Sequence, residues 1–241
     1  MGNYGDLGPL SALMGEWYGN IGKDVFPLPS PPGGEVKSKY VESTSFMPIA
    51  PVANGPQTLS GLQYKTTLIG DNYTEQEHQE VGYYLYNPSN EQLLKTFAIP
   101  RGEAILALGR EIFIFEDRLE IPDGLSLNDV GRMAIEDINK NILEIQRFPS
   151  MPKLFLFQAN SKDKSFGILN TPYLDKYFNI TQFAAIMMIQ SFEQEQKSPF
   201  GGPSVKVHRT TLTYNEYSAL EYTPGANEVY HLDSNTLWKQ V

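Results

Sequence analysis

Three histidines, His78, His208 and His231, are the only imidazoles in this 241-residue chain, which has no cysteine. Without thiols there is no disulfide, thiolate-held zinc, iron–sulfur cluster or cysteine nucleophile. Imidazole chemistry therefore has three possible addresses. His231 lies in Tyr230-His231-Leu232-Asp233-Ser234-Asn235-Thr236-Leu237, in the final turn and strand. A neutral imidazole is a good axial ligand for haem iron when its other nitrogen finds an acceptor that fixes the tautomer. Asp233 or a nearby carbonyl could be that acceptor, and a histidine that merely caps the last strand is an equal reading. His78 stands in Glu77-His78-Gln79-Glu80-Val81-Gly82-Tyr83-Tyr84. A period of two sends His78, Glu80, Gly82 and Tyr84 to one face and Val81, Tyr83 and Leu85 to the other. Which face is interior stays open, and a lone strand histidine is ordinarily hydrogen-bonded and ligand-free. His208, before Arg209-Thr210-Thr211, reads as a surface or rim residue.

Other catalytic signatures are missing. The chain has no P-loop, no dinucleotide-binding glycine pattern at a strand–helix junction, no Gly-x-Ser-x-Gly elbow and no His-Glu-x-x-His. Its many Asp and Glu residues could pair as acid and base inside a barrel, but spacing alone locates no such pair.

The formal charge of -9 and pI near 4.9 argue against a nonspecific nucleic-acid partner, whose phosphates are bound by Lys and Arg. The longest uncharged apolar stretch, Phe183 to Ile189, is far too short for a helical membrane span. No basic segment followed by an apolar one opens the chain, so the expected location is cytoplasmic.

The elements that must position these residues are mostly strands. Glu16–Gly22, Lys39–Phe46, Thr58–Ile69, His78–Tyr86, Leu93–Ile99 and Glu103–Leu108 alternate or are rich in β-formers, with turn signals such as Asn87-Pro88-Ser89-Asn90 between them. Lys153–Ala159, Gln182–Phe192, Val205–Tyr214, Ser218–Tyr222 and Thr236–Lys239 continue the series. The expected fold is all-β, an antiparallel up-and-down barrel in one domain over 1–241. Gly15-Glu-Trp17-Tyr-Gly19-Asn-Ile-Gly22 predicts a first strand bent around a plug of side chains. Pro27 to Gly34 reads as a loop or polyproline stretch. From Ser126 to Arg147, Val130, Met133, Ala134, Ile138, Ile142 and Ile145 recur at helical spacing, with Asn128 or Ser126 as the cap. This predicts one amphipathic helix, either packed on the barrel or serving as a lid or partner-docking element. Met187-Met188 reads as barrel lining or packing before it reads as a cofactor box.

Taken in order, these pieces resemble the nitrobindin-like family of haem-binding β-barrels, whose fold is similar to fatty-acid-binding proteins and lipocalins. The resemblance runs from Leu7-Gly-Pro-Leu10 through Gly15-x-Trp17-x-Gly19-x-x-Gly22-x-Asp24-Val25, Pro48-Ile-Ala-Pro51-Val-Ala-Asn54-Gly55 and Leu59-x-Gly61-Leu-x-Tyr64. It continues through His78-x-Glu80-x-Gly82-Tyr83 and Ile99-Pro100-Arg101-Gly102 to His231-x-Asp233-x-Asn235-Thr236-Leu237. Residues 110–152 have no recognised counterpart and read as an insertion. The resemblance implies a barrel of about ten strands holding haem b in its mouth, with His231 as the metal ligand and His78 in the pocket. Trp17, Gly19 and Gly22 would shape the cofactor-binding wall. It further implies nitric-oxide binding or isomerisation of peroxynitrite to nitrate on ferric haem. A haem-free carrier or sensor of a fatty acid or other small apolar ligand is the alternative. The compact family pattern is Gly-x-Trp-x-Gly-x-Gly-x-Gly, whereas this chain has Ile21 and Lys23 at the last two glycine positions, similar to a longer bacterial branch. A bulky Ile21, like the insertion, could fill or cover the site.

Overall fold

A computed structural model describes residues 4–28, 34–54, 57–70, 76–123, 125–146, 150–170, 178–197, 203–222 and 227–240. A 3-10 turn, Gly8–Leu13, precedes β1 (Gly15–Leu28), β2 (Gly34–Asn54), β3 (Gln57–Gly70), β4 (Gln76–Asn87), β5 (Gln92–Ile99) and β6 (Glu103–Phe115). Next come β7 (Arg118–Glu120), α1 (Asp129–Lys140), α2 (Ile142–Ile145), β8 (Lys153–Asn160) and β9 (Ile168–Leu169). The chain returns through β10 (Asn179–Gln196), β11 (Val205–Glu221) and β12 (Val229–Lys239). Ten of these strands form an antiparallel ring in the order β1-β2-β3-β4-β5-β6-β8-β10-β11-β12, closed by β12 on β1. Closure leaves no open strand edge in the ring. The expected barrel of about ten strands is the one formed, while β7 and β9 pair with β6 outside the ring.

Two cores flank the barrel wall. Inside, Leu10 and Leu13 of the 3-10 turn are fully buried with Trp17, Leu93, Phe155 and Phe157. The Trp17 indole Nε1 donates to the Leu13 carbonyl at 2.7 Å, satisfying its donor away from water. The turn plugs the barrel end marked by Tyr86 and Leu93, and the other end, marked by the β5–β6 turn, is left for a cavity. Outside, Val130, Ala134, Ile138, Ile142 and Ile145 pack on Leu154, Leu156, Ala184, Ile186 and Met188. Covering both faces explains why β8 and β10 are continuous apolar runs rather than alternating ones. Met187 faces inward and Met188 outward, both as packing.

The helical segment therefore lies against the wall. It is broken rather than single: Asn141 ends α1 and α2 starts anew, and Arg147 lies outside the described residues. Asn128 is the cap, accepting from the Gly131 N–H at 2.8 Å. Its amide also donates to the carbonyls of Ala159 and Phe183, stitching the helix start to β8 and β10. Residues 110–115 continue β6, so the excursion from the barrel starts after Phe115. Pro27 pairs with Glu35 at the end of the β1–β2 ladder, and residues 29–33 of the expected loop lie outside the described residues.

The bend in β1 has a local cause. Gly19 pairs with Glu42 and Gly22 with Tyr40, so Asn20 and Ile21 together oppose Val41 in a β-bulge. The extra residue turns Ile21 outward, 59 % exposed, and returns Gly22 and Asp24 to the inner face. Ile21 does not fill the interior. A Cβ on Gly22 would lie 2.3 Å from the Tyr40 ring, and one on Gly19 2.6 Å from Leu237, so both glycines make room for inner side chains.

Candidate functional site

Above the apolar plug the barrel interior turns polar. On β5 the inner face reads Leu93, Lys95, Phe97, Ile99, placing a lysine in an apolar row. Lys95 is 2 % exposed; its Nζ bonds Glu216 of β11 and lies 3.7 Å from Glu80 of β4. Phe97 and Phe183 present their rings 4.6 and 5.3 Å from the same nitrogen. Burial favours neutral lysine, but Glu216 and Glu80 outweigh it and hold Lys95 charged, above its ordinary range. Burial likewise pushes Glu80 up, yet Lys95 and His78 bring it down to about 2. Glu216 is raised, burial exceeding the pull of Lys95.

A second group spans β2, β11 and β12. Glu42 accepts from Tyr214 at 2.6 Å, Thr44 at 2.8 Å and Asn235 at 3.0 Å. Its complete burial still raises its pKa against those three donors. Tyr40 touches the Tyr214 hydroxyl at 2.9 Å and donates to Asp233.

Of these groups, Tyr40, Glu80, Glu216 and Asp233 line a chamber of about 340 Å3, within the range of small-molecule sites. Phe26, Phe97, Phe178, Phe183, Ile180 and Leu220 supply apolar wall, and His78, Arg101, Glu103, Asp24 and His231 supply polar groups. A void of about 40 Å3 beneath shares His78, Glu80, Glu216 and Asp233 with it.

His78 and His231 both line this chamber, although 153 residues separate them in sequence. The face carrying His78, Glu80, Gly82 and Tyr84 is the inner one. Arg101 donates to His78 Nδ1 at 3.4 Å, leaving the Nε2 hydrogen for Glu80, also at 3.4 Å. His231 sits within β12, where its Nε2 bonds Asp24 Oδ1 at 2.5 Å. Of the expected acceptors, Asp233 or a nearby carbonyl, Asp233 is taken by Tyr40; the acceptor is Asp24 of β1, across the seam that closes the barrel. The Phe26 ring meets the His231 ring edge-on at 5.3 Å. No hydrogen bond among the described residues uses His231 Nδ1. His208 is exposed, as expected of a surface position.

Trp17, Gly19 and Gly22 are not among the residues lining the chamber; Gly22 acts on it through Tyr40, which does line it. Sequence reasoning gave no role to Asp24, Lys95, Arg101, Glu103 or Glu216. A lysine on the apolar face of β5 and a glutamate opening the apolar inner face of β6 were the available signals.

Among the described residues no helix is long and apolar enough to cross a membrane. No curated protein matches the chain. Among solved structures it is similar to the crystal structure of Rv2717c from M. tuberculosis. The TM-score is 0.52 and the identity 15%, over 98% of this chain and 100% of that one, a likeness of fold. A THAP4-like, heme-binding beta-barrel domain matches residues 6–145, more than half of the chain and ending before β12. Together with the ten-stranded ring, that match bears out the nitrobindin-like resemblance: the chain belongs to the THAP4-like haem-binding β-barrel family.

Proposed function

We propose that the chamber binds haem b, with His231 as its axial ligand and His78 as a wall residue. Family membership supports haem, and the Asp24–His231 bond is the observation that favours this histidine. Both His78 ring nitrogens face protein partners, whereas His231 uses one and keeps Nδ1 for a ligand. With Asp24 accepting from Nε2–H, the tautomer and ring orientation are set and the opposite nitrogen becomes a better electron donor. Phe26 braces the ring, and the phenylalanine walls supply the apolar contact a porphyrin face needs. Bound haem would supply iron with one axial position open to a small molecule. Nitric-oxide binding or peroxynitrite isomerisation is the role the family resemblance implies for that position.

Titration of the purified chain with hemin tests the reading. Saturable binding of one haem per chain with a shifted Soret band, lost in His231→Ala, supports it. No saturable binding, or binding indifferent to that substitution, overturns it. Haem-free carriage of another small molecule is the second reading, favoured by the buried Glu103 carboxyl in the chamber wall, which accepts no hydrogen bond from the described residues.

A further inference from the structure

Five carboxylates line the chamber, Asp24, Glu80, Glu103, Glu216 and Asp233, against one guanidinium, Arg101. Four accept hydrogen bonds: Asp24 from His231, Asp233 from Tyr40, Glu80 from Tyr64 at 2.8 Å and Glu216 from Lys95. Glu103 differs. Its side chain is 1 % exposed, and neither carboxyl oxygen has a hydrogen-bond partner among the described residues. Arg101 Nη2 is 3.9 Å away, beyond hydrogen-bond reach, and is turned toward His78. A buried carboxyl without a donor is costly, and native structures seldom keep one without a reason.

The void beneath the chamber, lined by Lys95, shows how this interior accommodates an ammonium. Lys95 is held by carboxylates and by the faces of Phe97 and Phe183. Both rings also line the chamber, together with Phe26 and Phe178. A visiting cation is therefore offered the same two elements, a carboxylate in need of a donor and aromatic surface. A carboxylate placed at Glu103 would meet the reverse, like charge at close range, with the Arg101 guanidinium 3.9 Å from Glu103. We propose that the chamber binds a small organic amine, its ammonium hydrogen-bonded to Glu103 and its apolar body against the phenylalanine walls. The chamber of about 340 Å3 has room for a body of one ring or a short chain. The inference goes beyond haem binding and does not depend on it.

Isothermal titration of the purified chain with 2-phenylethylamine, and with 3-phenylpropionate as an anion of similar shape, tests the proposal. The amine is expected to bind at one per chain and the anion at least about tenfold more weakly. Glu103→Gln, with its fold checked by circular dichroism, should weaken the amine about tenfold, and Arg101→Gln, which removes the competing cation, should tighten it. Amine binding no tighter than the anion's overturns the proposal, as does affinity unchanged by Glu103→Gln; water alone then satisfies Glu103. Should Glu103→Gln not fold, the Glu103 carboxyl 13C resonance of the wild-type chain decides, because it must shift as the amine is added. A His231→Ala chain that loses hemin but keeps the amine separates this proposal from the haem reading.

Discussion

His231 and Asp24, 207 residues apart in sequence, meet at 2.5 Å across the seam where the last strand closes on the first. Barrel closure and assembly of the histidine pair are thus one structural event. Asp24→Asn should keep the ring in place but weaken its electron donation. Hemin affinity should fall roughly 10- to 100-fold, less than the loss in His231→Ala, as followed by Soret titration.

Lys95, itself 2 % exposed, neutralises two glutamates inside the barrel. Lys95→Met leaves Glu80 and Glu216 facing each other without a cation, and stability should fall by about 3–5 kcal/mol. Urea denaturation measures the loss. Adding Glu216→Gln to Lys95→Met should recover part of it, because one stranded charge is removed.

The bulge in β1 separates two neighbouring positions. Gly22→Val places a side chain on the Tyr40 ring and should cost about 1–3 kcal/mol. Ile21→Gly, at an outward position, should leave hemin affinity unchanged. A marked change in that affinity would show that Ile21 reaches the chamber.

Stability should peak at mildly acidic pH. Burial raises Glu42, Glu103 and Glu216 above the ordinary carboxylate range. Acids raised in the folded state bind more protons folded than unfolded, so stability falls as pH climbs from the unfolded value of about 4 through each folded pKa. Glu80 acts oppositely: its contribution is complete above the unfolded value and is lost as pH falls through about 2. Melting temperatures between about pH 4 and pH 9 should therefore decline on the alkaline side, and Glu42→Gln should flatten that decline.

Asn128 caps α1 and also bonds β8 and β10. Asn128→Ala should cost about 2 kcal/mol in thermal or urea unfolding, at the upper end for a helix cap.

Much of this arrangement was legible in one dimension. Alternation placed His78, Glu80 and Tyr84 on a common face, and the apolar spacing from Val130 to Ile145 predicted a helical stripe that now packs on the barrel. Such patterns are local, because side-chain direction follows from strand and helix periods. The break at Asn141 was not legible, since the apolar spacing continues straight through it. Nor was the outward turn of Ile21, because a bulge is set by pairing with a partner strand and not by the strand's own alternation.

By itself, the sequence determined the strand-rich class, the absence of thiol chemistry, the three possible imidazoles and the order of motifs that marks the family. Tertiary structure decided which groups meet: Asp24 rather than Asp233 behind His231, Lys95 between Glu80 and Glu216, and Glu103 buried without a donor. These contacts join strands far apart in the chain, and their partners are chosen by ring closure and register, which no local periodicity encodes.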